Sequence, residues 1–145
     1  MKKATFYFLC CISVFIVCGC VSKRAAGNTA NLVISEREWI LVSVRADVQD
    51  DFLFPKLEHM PTLWIDKEDL YRGYDSCNNF GGNLTIVGDS IRFAPAVSTL
   101  KGCLDNEGVD NLLRMAFEQI NNFSIEKNQL YLKKDSKSLI IYETR

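Results

Sequence analysis

The chain has 145 residues, 48% hydrophobic, 24% charged and 11% aromatic, which fits one small globular domain and excludes disordered or collagen-like chains. Lys and Arg number 17 against 18 Asp and Glu, a net charge of -1, so there is no basic field for nucleic acid and none is expected as a partner. Cys10, Cys11, Cys18 and Cys20 form an N-terminal cluster apart from Cys77 and Cys103, and the two groups need different explanations.

Met1-Lys2-Lys3 is a short basic start, and Ala4 to Val17 is an apolar run shorter than the roughly 20 residues that a membrane-spanning helix needs. It ends in Val17-Cys18-Gly19-Cys20, which resembles the bacterial lipobox. Small residues there admit the peptidase, and the Cys20 thiol is the nucleophile that takes the diacylglycerol. Residues 1–19 are therefore expected to be a lipoprotein signal peptide, with Cys20 as the lipid attachment that holds the protein to a membrane. After cleavage the mature chain is mildly acidic and keeps two thiols, Cys77 and Cys103, outside the cytoplasm. Residues 20–31 comprise the lipidated Cys20 and a flexible tether without an apolar face, which spans on the order of 20 Å. Val21 stands where enteric-type lipoproteins retained at the inner membrane commonly carry Asp. The expected location is the cell envelope, lipid-anchored at the outer membrane and facing the periplasm.

Residues 32–145 form the expected domain, in which short apolar segments alternate with turn signals. Trp39 to Val44 and Thr62 to Ile65 are predicted strands, and Asp66 to Asp69 is a turn before a pairing strand over Leu70 to Gly73. Asn83 to Val87 and Ser90 to Ala94 flank Gly88-Asp89, a two-residue hairpin connection. Val109, Leu112, Leu113, Ala116, Phe117 and Ile120 recur at helical spacing, with Asp105 and Glu107 ahead of them. Asn122 to Glu126, Gln129 to Lys133 and Ser138 to Tyr142 close the chain as three strands. The predicted class is α+β, one main amphipathic helix packed on a curved, mostly antiparallel β-sheet. Gly73 to Gly82, which holds Cys77, is predicted as a loop.

In order along the chain, Trp39-Ile40-Leu41, Pro61-Thr62-Leu63-Trp64-Ile65, Cys77-Asn78, Phe80-Gly81-Gly82, Thr99, Cys103 and Leu130-Tyr131-Leu132 resemble the pattern of the META-domain family, which includes HslJ-like envelope lipoproteins. The resemblance runs from about Trp39 to Tyr142. Ser76 stands where that family usually has Gly, and Ser98 to Gly102 is a loose version of its Thr-rich segment. The resemblance implies a small α+β domain at the envelope, a link to stress or antibiotic tolerance, and no established reaction.

Secretion and the even count favour a Cys77–Cys103 disulfide, which would close a loop of about 27 residues and stabilise the fold by roughly 3–4 kcal/mol on the chain-entropy model. The alternative is a reactive thiol, which needs a cationic or helix-terminal setting, and Cys103 stands just ahead of the helix. Ser98-Thr99-Leu100-Lys101 fits Ser-x-x-Lys, yet its companion motifs are absent and chance explains it better. His59 is the sole histidine, so no Ser/His/Asp set with a spare partner and no two-histidine metal site can be assembled. A His59, Cys77 and Cys103 zinc site would require reduced thiols at no recurrent spacing. Asp66, Glu68 and Asp69, like Asp47, Asp50 and Asp51, are expected to be solvated turns, with Phe52, Phe54 and Leu57 packed beside the latter. No metal, cofactor or catalytic residue is expected.

Tyr74, Asp75, Asn78, Asn79 and Phe80 combine aromatic, amide and acidic groups on a Gly-flanked segment, a composition suited to peptide or glycan contact. The competing reading is a turn whose side chains satisfy their own backbone. The expected function is a non-enzymatic binding or envelope-maintenance module whose partner is an envelope protein or a glycan. The alternative is an inhibitor of a hydrolase, a lysozyme or protease, acting through an exposed loop, and an enzyme of unknown type ranks third because no catalytic set is recognisable.

Overall fold

The computed structural model describes residues 34–103, 106 and 108–144. The strands are β1 (Arg37–Val44), β2 (Thr62–Ile65), β3 (Leu70–Tyr74), β4 (Asn79–Val87), β5 (Ser90–Phe93) and β6 (Val97–Ser98), and after helix α1 (Val109–Phe117) come β7 (Asn122–Glu126), β8 (Gln129–Lys134) and β9 (Lys137–Glu143). All pairings are antiparallel. The order is β3-β2-β1-β9-β8-β7-β5-β4-β6, and an added β3–β4 pairing joins the two sides. The α+β curved sheet expected above is present, and it curls until it closes on itself.

Tight turns set the local registers. Val87 pairs with Ser90 across Gly88-Asp89, Glu126 with Gln129 across Lys127-Asn128, and Lys134 with Lys137 across Asp135-Ser136. Gly88, Lys127 and Asp135 have positive φ, the conformation that lets a two-residue turn match the twist of its strands. Asp135 is held there by Asn121, whose Oδ1 accepts the Asp135 N–H at 2.7 Å and whose Nδ2 donates to Asp135 Oδ1 at 2.9 Å.

Alternation sends one face of each strand inward except in β6, where both residues are exposed. Trp39, Leu41, Leu63, Ile65, Leu84, Ile91, Leu130, Leu132 and Tyr142 share one core with Val109, Leu113 and Ala116 of the helix. Registers shift between Leu41 and Ser43 and between Leu132 and Lys133; such irregularities bend strands and help a sheet close. The narrowest seam lies between β5 and β7, where Ser90 and Asn122 form the only ladder pair and Phe123 N–H reaches Asp89 O at 2.9 Å.

Helix α1 packs against β1 and β9. It ends at Phe117, earlier than the apolar stripe, and Ile120 remains buried beyond it. The Phe117 ring meets Phe80 edge-on at 5.6 Å and Phe93 at 4.9 Å. Phe52 lies under the Arg45 guanidinium at 4.5 Å, whereas Phe54, expected to pack, is 63% exposed. The predicted loop Gly73 to Gly82 is mostly strand. Its glycines belong to β3 and β4, where the Phe80 ring at Gly73, the Tyr71 ring at Gly82 and the Tyr71 carbonyl at Gly81 occupy the space that a Cβ would need.

Candidate functional site

The turn between β3 and β4 is only Asp75 to Asn78, because Tyr74 pairs with Asn79. Asp75 Oδ1 accepts the N–H groups of Cys77 at 2.9 Å and Asn78 at 2.6 Å. Asn78 is buried. Its Oδ1 accepts from Thr99 Oγ1 at 2.8 Å and Lys101 N at 2.7 Å, and its Nδ2 donates to Lys101 O at 3.2 Å. The side chains of Asp75 and Asn78 are thus spent on backbone and on the 99–101 segment, as buried polar groups require. Phe80 belongs to the aromatic cluster, 6.2 Å from Tyr71 and 5.6 Å from Phe117. Of the five residues singled out in the sequence, Tyr74 and Asn79 are left facing outward.

Cys77 and Cys103 form a disulfide with Cα atoms 5.8 Å apart. Both thiols are consumed, so neither the reactive-thiol nor the zinc alternative applies to this state. Among the described residues no group of three or more His, Cys, Asp or Glu could hold a metal ion. Ser98 lies in β6, where its hydroxyl donates to Thr99 O at 3.0 Å, far from the helical setting of a Ser-x-x-Lys nucleophile. Asp66 Oδ1 accepts the N–H groups of Glu68 and Leu70 at 2.8 and 2.9 Å, which makes that acidic cluster a turn.

Tyr74 leads to a surface that sequence reasoning missed. Register places Ile40 opposite Thr62, Thr62 opposite Tyr74, and Tyr74 opposite Asn79, in a row across the outer face of β1 to β4. The adjacent row is Glu38, Trp64, Arg72 and Gly81. An open depression of about 530 Å³ lies over Ile40, Thr62 and Tyr74 and is walled by Glu58, His59 and Met60. A second, of about 320 Å³, is lined by Trp64, Arg72, Asp66 and Asn83. The Arg72 guanidinium sits 5.4 Å from the Trp64 ring centroid, within cation–π range. Aromatic surface, hydroxyl, imidazole, guanidinium and carboxylate therefore meet on one shallow face, which can stack on flat apolar faces of a ligand while hydrogen-bonding its edges. The available signal was Thr62-x-Trp64 and Arg72-x-Tyr74, aromatic residues on the solvent side of strands whose other side is apolar.

Tyr142 carries one group without an evident structural partner. It is fully buried, and its hydroxyl has no hydrogen-bond partner among the described residues. Burial, reinforced by the negative charge of Asp75, pushes its pKa well above the ordinary tyrosine value of 10.0. Tyr71 is raised in the same direction by burial alone. The unfolded chain releases these protons near pH 10, whereas the folded chain retains them. The stability contribution is therefore complete below about pH 10 and is lost as pH rises from there through the raised folded values. Tyr142→Phe is expected to add about 1 kcal/mol at neutral pH by removing an unpaired buried hydroxyl. It is also expected to flatten the alkaline loss by about 1.4 kcal/mol per pH unit above 10. Urea unfolding at pH 7 and at stepped alkaline pH measures both effects.

Residues 1–19, Cys20 and the tether through residue 31 lie outside the described residues, as do Asp105 and Glu107 ahead of the helix. Among the described residues no helix is long and apolar enough to cross a membrane.

The META domain family model matches residues 30–145. A protein from Burkholderia xenovorans solved by NMR superposes with a TM-score of 0.67 at 12% identity, covering 100% of this chain and 99% of that one. A second protein solved by NMR superposes at 0.59 and 17% identity, covering 78% of this chain and 92% of that one. At such identities the likeness is one of fold. No curated protein matches the chain.

Proposed function

The chain belongs to the META-domain family, and on that premise we propose that it is a lipid-anchored, non-catalytic binding module of the bacterial envelope, serving envelope maintenance under stress. The anchor in this reading is Cys20, attached to the outer membrane and facing the periplasm, with the short tether keeping the domain close to the lipid surface. The ligand class is an envelope glycan. The observation that carries the reading is the outer face of β1 to β4, where Tyr74 lines one open depression and Trp64 another. Stacking of sugar rings on aromatic faces, with hydroxyls bonded by Asn79, Thr62 and Arg72, uses both kinds of group that the face presents, aromatic and polar. A shallow open surface suits an extended chain better than a small molecule, which needs an enclosing pocket.

The experiment is co-sedimentation of the protein with insoluble peptidoglycan sacculi, supplemented by titration with soluble glycan strands. Binding is expected to be saturable. Trp64→Ala with Tyr74→Ala is expected to weaken it at least about 10-fold at unchanged melting temperature, since each sugar ring stacked on an aromatic contributes on the order of 1 kcal/mol. Equal binding by wild type and the double variant, or none by either, would refute the reading.

A further inference from the structure

A second exposed feature begins where the outer-face rows end, on the far side of β4, at the pairing of Gly81 with Val97. Every residue from Pro95 to Cys103 is exposed, with Val97 at 82% and Leu100 at 99%. A segment of this kind would ordinarily be loose, but here both flanks of Leu100 are held. On the N-terminal side, Phe80 pairs with Ser98 and Gly81 with Val97, and Thr99 N–H donates to Asn79 O at 3.0 Å. On the C-terminal side, Cys103 is tied to Cys77. Asn78 joins the two sides: its one carboxamide binds the Thr99 hydroxyl before Leu100 and both the N–H and the carbonyl of Lys101 after it. The N–H and C=O of Leu100 take no part in these bonds. The segment thus offers an apolar side chain and its own peptide groups to a partner, on a backbone fixed in advance.

We propose that Val97–Cys103 is a substrate-like inhibitory loop for a serine-type endopeptidase, with Leu100 entering an apolar primary specificity pocket. An endopeptidase cleft recognises an extended backbone and one anchoring side chain, and a pre-ordered loop binds it without the entropy cost that a flexible substrate incurs. Hydrolysis of Leu100–Lys101 would place the hydroxyl of water on the Leu100 carbonyl carbon and a proton on the Lys101 nitrogen. Both new ends would remain tethered, one by β6 and Asn79, the other by Asn78 and the disulfide. Their proximity favours resealing of the bond over release. The two readings share only Asn79, whose backbone holds the loop, and their tests stay separate because Trp64 and Tyr74 take no part in this one.

The test is inhibition of chymotrypsin-type and subtilisin-type endopeptidases by the oxidised full chain in detergent, with a trypsin-type enzyme alongside. Competitive one-to-one inhibition of a protease with an apolar primary pocket is expected, with slow cleavage at Leu100–Lys101. Leu100→Asp is expected to raise the inhibition constant at least about 30-fold at unchanged melting temperature, the range of a buried interface anchor. Leu100→Arg is expected to transfer inhibition to the trypsin-type enzyme. The proposal is overturned if neither apolar-pocket protease is inhibited, if cleavage at Leu100–Lys101 is as fast as in an unstructured peptide, or if inhibition is insensitive to Leu100→Asp.

Discussion

Gly73→Val is expected to lower the stability of the domain by at least about 3 kcal/mol, the upper range for overpacking a filled site. A Cβ at Gly73 would lie 2.5 Å from Phe80 Cζ, 2.9 Å from Phe80 Cε1 and against the carbonyl oxygen of Thr62. The Thr62 contact is with backbone, which cannot swing aside. Phe80 is also constrained, since its ring bears on Tyr71 and Phe117 and moving it opens the aromatic cluster. Gly73 and Phe80 are direct cross-strand partners, so the ring covers the strand position left bare by the glycine. Urea denaturation at equilibrium measures the loss. Gly102→Ala, whose Cβ would meet nothing within 4 Å, is the control, with an expected change within about 0.5 kcal/mol.

Removing the disulfide as Cys77→Ala with Cys103→Ala is expected to cost about 3.5 kcal/mol, the loop-closure entropy returned to the unfolded chain by a separation of 26 residues. The fold is expected to survive. The Asn78 carboxamide still binds Thr99 and Lys101, and the β3–β4 ladder on the other side of the turn does not depend on the bridge. The readout is urea unfolding of the oxidised, reduced and double-alanine proteins, paired with amide spectra in water. Coincidence of the reduced and double-alanine curves below the oxidised one, with near-native spectra for all three, is the expected result. A collapse of the spectra on reduction would show that the bridge, and not Asn78, positions the segment.

Much of the architecture was legible from pattern. The alternation in Thr62 to Ile65 reappears residue for residue as β2, with Leu63 and Ile65 buried. Gly88-Asp89 marks a hairpin because glycine adopts the positive φ such a turn needs at no steric cost. The helical stripe survives as Val109, Leu113 and Ala116 in the core. Gly73 to Gly82 misled for a physical reason. Glycines signal loops when the backbone must bend, but in a sheet they also signal that another side chain fills their place, and a linear sequence does not show that Phe80 lies over Gly73. The Asn78 amide is plain in the sequence, yet its partners lie more than twenty residues away at Thr99 and Lys101, beyond any local pattern.

By itself the sequence determined the inward faces of its alternating strands, the hairpin at Gly88-Asp89, the helical stripe and the cysteines available for pairing, because side-chain period and turn stereochemistry are local. It also carried the motif order that marks the family. Only the tertiary structure decided that β3 meets β4 so the sheet closes, that Trp64 and Tyr74 stand on one outer face with His59 beside them, and that Asn78 props Leu100 into solvent. The physical reason is common to all three. Alternation assigns a residue to a face without naming the neighbouring strand, and strand neighbours are chosen by packing and long-range closure, to which every element contributes.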